Sequence, residues 1–273
     1  MHAYRITDPA GPESLEKIDL DTPTPGAGEV LLDLKAWSLN FRDLIVSKGG
    51  YPGNDNFPVQ PLSDAAGVVG AVGENVNQWK PGDRVMPNFM RDWVGGDITP
   101  AHQASAFGGA IDGLLAEKVA LPASCLVKMP ADYSFAEAAT LPCAAVTAWN
   151  GLVGAGVTAG DTVLLLGTGG VSVFGLQLAK AMGCTTIITS SSDAKLEKCK
   201  ALGADHVVNY ATTPEWHEPA RAITGGRGAD AVLEVGGAGT LERSLQAVRV
   251  GGHLALIGLL ANPDEQPTML PLL

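Results

Sequence analysis

The stretch Thr162-Val-Leu-Leu-Leu-Gly-Thr-Gly-Gly-Val-Ser-Val-Phe-Gly175 reads as a buried strand running into a glycine turn and then a helix. That order places backbone N–H groups and the positive end of a helix where a dinucleotide's pyrophosphate would sit. Gly167 ends the apolar run, Gly169 leaves no side chain where a phosphate approaches the backbone, and Gly170 begins the helix. Ser172 stands where the GxGxxG pattern has its third glycine, so the turn alone is an incomplete fingerprint. Gly167, Thr168, Gly169, Gly170, Val171 and Ser172 together form the candidate cofactor turn.

The pattern continues outward in the same alternation. A helix over 174–182 is closed by Gly183, a β-rich run covers 185–189, and a second helix covers 193–202 before Gly203. Three further apolar runs, 206–210, 229–235 and 253–258, follow, with a helical stretch at 240–248 between the last two. Five strands alternating with helices predict a doubly wound parallel sheet. The alternative is an α/β domain in which the glycine turn only makes a tight corner.

Composition narrows the function classes. Of 273 residues, 46% are hydrophobic and 17% charged, enough apolar material for a full core. The balance of 18 Lys and Arg against 29 Asp and Glu gives a net charge of −11, which argues against nucleic acid or an anionic membrane as the main partner. No apolar run approaches the roughly 18 residues of a membrane span, and Met1-His-Ala-Tyr-Arg5 does not start like a signal peptide, so a cytoplasmic setting is expected. Cys125, Cys143, Cys184 and Cys199 are scattered without a CxxC, which disfavours disulfides and a zinc knuckle.

The N-terminal part has a different texture. Residues 29–37 alternate, 66–73 form a glycine-punctuated β run, 82–85 follow a Pro-Gly turn, and 116–121 read as the last strand of a mostly antiparallel β domain. Ser134 and Glu137 form a capping box for a helix after Met129-Pro130, so the domains are expected at 1–129 and 130–273.

Seven ordered motifs carry a resemblance across the chain: Pro25-Gly-Ala-Gly-Glu-Val30, Ser38-Leu-Asn-Phe-Arg-Asp43, Ala66-Gly-Val-Val-Gly-Ala-Val-Gly73, Pro81-Gly-Asp-Arg-Val85, Ala138-Ala-Thr-Leu-Pro-Cys143, Gly160-Asp-Thr-Val163 and the glycine turn. The chain resembles the medium-chain dehydrogenase/reductase superfamily and, within it, the zinc-independent quinone oxidoreductase and enoyl reductase branch. The resemblance implies an α/β protein, with a GroES-like β-barrel catalytic domain followed by a Rossmann domain and the active site in the cleft between them. In that family the Rossmann domain continues with another strand and helix, and the chain then returns to the catalytic domain. This sequence stops at Leu273, so a C-terminally truncated Rossmann domain is expected, and a homodimer or a partner-completed assembly stays open.

Alcohol dehydrogenases of this superfamily polarise the substrate oxygen with zinc held by Cys and His. By the resemblance, the ligand slots here hold Asn40, Ser63 with Asp64, and Cys143. The four-cysteine lobe of structural zinc is also missing, so no zinc is expected. Cys143 reads as a small core residue. Without metal, reduction relies on placing a hydride donor over an electron-poor carbon and stabilising the resulting charge by hydrogen bonds. Asn40 is the candidate amide donor, or simply the cap of a helix over 41–46. Tyr51 resembles a tyrosine lining the substrate pocket of quinone reductases, or is a turn aromatic. Thr147 falls where the family has a hydroxyl contacting the nicotinamide, or bonds back to a preceding carbonyl. None of the five histidines is assigned a catalytic role.

Cofactor choice is read at the end of the second Rossmann strand, where NAD enzymes carry an acid. Here Ser190 and Ser191 stand in that slot with Lys195 nearby, and Tyr210 resembles the family tyrosine flanking a 2′-phosphate. These residues favour NADPH over NADH, although Lys195 also reads as an ordinary surface lysine. Asp193 is an N-cap or a ribose contact. Val235, Gly236, Ile257 and Gly258 end the fourth and fifth strands and should approach the nicotinamide ribose. The expected function is an NADPH-dependent reduction of a small-molecule quinone or activated C=C. An alcohol dehydrogenase, or a protein that binds NADPH without turnover, is the alternative.

Overall fold

The structure is a computed structural model and describes residues 1–51, 56–258 and 260. The chain divides into two compact units, Met1–Cys143 and Ala144–Leu273.

In the first unit, β1 (His2–Ile6) pairs antiparallel with β2 (Leu15–Asp19). β3 (Glu29–Ser38) is followed by α1 (Phe41–Ser47), β4 (Asp64–Val72), β5 (Arg84–Pro87), α2 (Pro100–Gln103), β6 (Lys118–Pro122), β7 (Leu126–Lys128) and α3 (Phe135–Ala139). Five of these strands form an antiparallel sheet in the order β6-β3-β4-β5-β7. The alternation of β3 drives one face inward: Val30, Leu32 and Leu34 pack with Val69, Phe107 and Leu114. The strand expected at 116–121 is present as β6, but it is not the last. β7 follows it, and a three-residue run is too short to show an alternating pattern. The boundary also falls later than 129–130, because α3 buries Ala138 and Ala139 against Ala66 and Met129 of the first unit.

The second unit runs α4 (Val146–Gly154), β8 (Thr162–Leu165), α5 (Gly170–Ala181), β9 (Thr185–Ser190), α6 (Asp193–Ala201), β10 (His206–Asn209), α7 (His217–Ile223), β11 (Ala229–Glu234), α8 (Ala238–Ala247) and β12 (Val248–Leu256). All five strands are parallel, in the order β10-β9-β8-β11-β12. β8 is covered on both faces. Val163 and Leu165 join one cluster with Leu152 and Leu176, and Leu164 joins the other with Trp216 and Ala247. Each fully buried leucine of this kind contributes roughly 1.5–3 kcal/mol. The last helix ends at Ala247 rather than at 248. The strand starts directly at Val248, where the β-branched pair Val248 and Val250 favours extended backbone over a further helical turn.

The chain leaves β8 toward β9 and β10 on one side, then returns to β11 and β12 on the other. The strand order therefore reverses between β8 and β11, and the carboxyl ends of these two strands flank a crevice of the kind that holds ligands in doubly wound sheets.

Candidate functional site: a dinucleotide turn and a buried carboxylate

The glycine turn follows β8 at this reversal. Gly167 has φ of 70°, a left-handed conformation that a side chain rarely adopts, and Gly169 caps α5. A Cβ built on Gly169 would meet nothing within 4 Å, so the space over this backbone is open. Ser172 at the third-glycine slot is buried, and its hydroxyl donates to the carbonyl of Leu166 at 2.5 Å. Close helix–strand packing falls instead to Gly175, where a Cβ would lie 2.8 Å from Leu165 Cδ2 and 2.9 Å from Leu233 Cδ1. Gly167 N–H donates to Thr189 Oγ1 at 3.0 Å, and Thr168 and Ser190 share a hydroxyl–hydroxyl bond of 3.2 Å.

Ser190 is buried and also accepts from Ser192 N–H at 3.3 Å, so its hydroxyl tethers the turn from inside. Ser191 and Lys195 are exposed, and Lys195 takes part in no ion pair among the described residues. Ser192, not Asp193, is the N-cap of α6, and Asp193 accepts from Asn209 Nδ2 at 2.7 Å. Tyr210 joins Gly167, Thr189, Trp216, Val235 and Gly236 around a pocket of about 400 Å³. Ile257 N–H donates to the carbonyl of Glu234 at 2.8 Å, and a Cβ on Gly258 would overlap the carbonyl of Val235. The ends of β11 and β12 are thus drawn together, backbone against backbone.

Glu234 is a residue that sequence reasoning passed over. It is fully buried at the end of β11, and its Oε1 accepts from Gly236 N–H at 2.7 Å, Gly237 N–H at 3.0 Å and Thr240 Oγ1 at 2.6 Å, while Oε2 accepts from Ser244. One carboxylate therefore shapes the turn that carries Val235 and Gly236. The signal was present: an acid ending the apolar run Ala229-Asp-Ala-Val-Leu-Glu234, directly before Val-Gly-Gly237.

In the first unit the ligand-slot residues converge on another buried carboxylate. Asp64 begins β4 with none of its surface exposed. Its Oδ2 accepts from Asn40 Nδ2 at 3.0 Å and from Cys143 N–H at 3.2 Å, and its Oδ1 accepts from Ser63 Oγ at 3.0 Å. Asn40 occupies the N-cap position of α1, and its backbone N–H donates to Asp43 Oδ2 at 2.8 Å. Burial pushes the Asp64 carboxyl up to about 6 against the lowering effect of its three donors, and the nearby Asp43 adds to the rise. Burial likewise raises Asp43.

Because the folded pKa of Asp64 lies above its unfolded value of 3.8, the group contributes no penalty below pH 4 and a growing one as pH rises through about 6. Over some two pH units this amounts to roughly 3 kcal/mol. The neutral variant Asp64→Asn should therefore gain urea stability relative to wild type at pH 7, with the gain shrinking toward pH 4. A pH-independent difference between the two would contradict this.

Of the four slots only Asp64 and Cys143 have side chains of zinc-ligand type. Among the described residues no group of three or more His, Cys, Asp or Glu side chains could hold a metal ion. The residues present do not fit a three-ligand zinc site. Tyr51 packs its ring on the guanidinium of Arg42, 4.5 Å from centroid to Cζ, and Phe89 packs there too at 4.8 Å. Thr147 is half-buried in the first turn of α4, and no hydrogen bond of its side chain to a preceding carbonyl is formed among the described residues. Cys143 is half-buried rather than a core residue. No helix among the described residues is long and apolar enough to cross a membrane.

Comparison with known proteins identifies two domain families along the chain. Residues 26–131 match the alcohol dehydrogenase GroES-like domain, and residues 170–273 match the zinc-binding dehydrogenase domain. The chain is 49% identical over 245 residues to the zinc-type alcohol dehydrogenase-like protein C1773.06c of Schizosaccharomyces pombe, covering 89% of this chain and 71% of that protein. It is 34% identical over 263 residues to an alcohol dehydrogenase of Geobacillus stearothermophilus, covering 93% and 76%. Among solved structures, Escherichia coli quinone oxidoreductase complexed with NADPH superposes with a TM-score of 0.80 at 27% identity, covering 98% of this chain and 75% of that one. With both domain families matched in order and relatives aligned along most of its length, the chain belongs to the medium-chain dehydrogenase/reductase superfamily and is an oxidoreductase.

Proposed function

We propose that the chain is an NADPH-dependent, zinc-independent reductase that delivers a hydride to a quinone or to the activated C=C of an enal, enone or enoyl thioester. The observation that carries this reading is the chemistry around Asp64. The four slots offer one carboxylate, one thiol, one carboxamide and one hydroxyl, and the carboxylate is already engaged by three donors. Such a set can donate hydrogen bonds but cannot complete a zinc centre. An electron-poor alkene or quinone needs only a placed hydride and a donor for the developing negative charge.

NADPH, when bound, supplies the hydride. The open backbone at Gly169 and the N-terminus of α5 suit its pyrophosphate. Ser191 and Lys195, which has no ion pair among the described residues, suit a 2′-phosphate, which an acid in that slot would repel. Asn40 is assigned the role of amide donor to the substrate oxygen, Tyr51 lines the substrate site, and Thr147 contacts the nicotinamide. The quinone oxidoreductase among the similar structures is consistent with this reading. The relatives named as alcohol dehydrogenases favour the competing one, an alcohol dehydrogenase that takes up metal.

The deciding assay is oxidation of NADPH and of NADH by chelator-treated protein with 1,4-benzoquinone and with a medium-chain 2-enal. Turnover that survives chelation is expected. Alcohol oxidation that disappears on chelation and returns with zinc would establish the alternative. Within the same assay, Lys195→Ala should raise the KM for NADPH about tenfold and leave that for NADH unchanged, as expected for loss of one charge-assisted phosphate contact. Equal effects on both cofactors would remove Lys195 from the phosphate site.

A further inference from the structure

We propose that Asp64 is a positioning residue: its carboxylate holds the Asn40 carboxamide in a single orientation toward the substrate oxygen, organising the site by hydrogen bonds where a metal would do so by coordination. The proposal rests on the reading that Asn40 is the amide donor. It adds that the donor is fixed from behind by a group that does not itself meet substrate.

The geometry supports this in three steps. A carboxamide's terminal torsion is broad and roughly two-fold, so an asparagine at a half-buried helix cap has two competing orientations. Only one of them is compatible with Asp64: Nδ2 toward Oδ2 at 3.0 Å is attractive, whereas the flipped amide would press Oδ1 against a carboxylate. One Nδ2 proton is thereby committed to Asp64, and no partner takes the second among the described residues, which leaves it to donate.

Asp64 is in turn immobilised. Ser63 Oγ donates to its Oδ1 and the Cys143 backbone to its Oδ2, and the residue has no exposed surface. The asparagine is pinned at its other end by Asp43, which accepts its backbone N–H at 2.8 Å. Three segments far apart in sequence, the cap of α1, the start of β4 and the turn at Cys143, thus meet at one carboxylate. Its burial is unfavourable for an acid, and the pKa pushed up to about 6 reflects that. A buried carboxylate of this sort gives less stability than an apolar residue would, but it does fix a direction.

The test is a double-mutant cycle read in kcat and KM, together with the exchange of the Asn40 side-chain amide in 15N-asparagine-labelled protein. Asn40→Ala and Asp64→Ala should each lower kcat about 100-fold, the scale of one preorganised donor, with the KM for NADPH within about twofold of wild type. The double variant should be no worse than either single one, because both remove the same interaction. Asp64→Asn can still accept from Asn40 and Cys143 while its own NH2 donates to Ser63, so it should retain kcat within about fivefold. In the labelled protein, one Asn40 amide proton should exchange slowly in wild type and Asp64→Asn, and quickly in Asp64→Ala.

Multiplicative losses in the double variant, or a normal kcat in Asp64→Ala beside a lowered one in Asn40→Ala, would overturn the proposal. Full activity in Asn40→Ala would instead overturn the assignment of Asn40 as donor, and the amide exchange would still report whether Asp64 holds it. If Asp64→Ala does not fold, rapid exchange of both Asn40 amide protons in folded wild type is the result that sinks the idea.

Discussion

Replacing Glu234 with alanine is expected to lower the unfolding free energy of the second unit by about 4 kcal/mol. The substitution leaves the N–H groups of Gly236 and Gly237 and the Ser244 hydroxyl without their acceptor, and leaves Thr240 Oγ1 only its longer bond to the Gly237 carbonyl at 3.3 Å. Each buried donor left unsatisfied costs about 1–3 kcal/mol, offset in part by relief of the carboxylate's own desolvation and by water entering the vacated space. For a unit of this size the thermal midpoint should fall by roughly 15 °C. Glu234→Gln should lose only about 1–2 kcal/mol, since its Oε1 can still serve the turn while its NH2 faces the Ser244 hydroxyl. Urea unfolding followed by circular dichroism measures all three proteins, and an alanine variant within 1 kcal/mol of wild type (below the scale of one lost buried hydrogen bond, about 1–3 kcal/mol) would refute the network's importance. If the proposed function holds, NADPH binding weakens as well, because Gly236 lines the pocket at the end of β11.

Gly73→Ala is expected to destabilise the first unit by about 3 kcal/mol through a different cause, steric collision. A Cβ at Gly73 would overlap the carbonyl oxygen of Gly26 and lie 2.8 Å from its carbonyl carbon. Both groups are backbone, so relief requires the two segments to separate. That movement strains the bonds from Gly73 N–H to Glu29 O at 2.8 Å and from Gly28 N–H to Glu74 O at 2.7 Å. Gly95→Ala is the control, since nothing lies within 4 Å of a Cβ there and no change beyond about 0.5 kcal/mol is expected. Equal stability of the two variants in urea would show that the segments can part freely.

Gly73 also shows what the sequence made legible. Pro25-Gly-Ala-Gly28 and the glycine ending the 66–73 run were recognised as separate motifs. The structure shows that they are one contact, in which the missing side chain of Gly73 lets the carbonyl of Gly26 approach its backbone. The parallel sheet was readable because β8, β9 and β11 are short, buried runs rich in apolar or β-branched residues and bounded by glycine turns. β7 was not, because three residues carry no period. At the glycine turn, strict spacing pointed to Ser172 as an imperfect glycine, whereas a serine that bonds Leu166 meets the local need and Gly175 supplies the close approach.

The Asp64 centre was only half legible. The resemblance picked out Asn40, Ser63, Asp64 and Cys143 as ligand slots, and the structure brings these four together. That they are joined by one carboxylate could not be read, since its bonds span 24 and 79 positions and no local pattern encodes them. Ser190 illustrates the converse. Its place at the end of the second parallel strand was legible, but its burial and its bonds to Thr168 and Ser192 were not.

The central place of β8 has a kinetic consequence. Its neighbour β9 begins only about 20 residues further along the chain, but its other neighbour, β11, pairs Val163 with Ala231 across a far longer loop. The half built from β8, α5 and β9 can therefore close early on local contacts, while the β8–β11 seam, where the crevice proposed for the cofactor lies, forms only after the longer loop has closed. The glycine turn would then be shaped before the pocket wall opposite it arrives, and the crevice would be the last part of the sheet to assemble and the first to open.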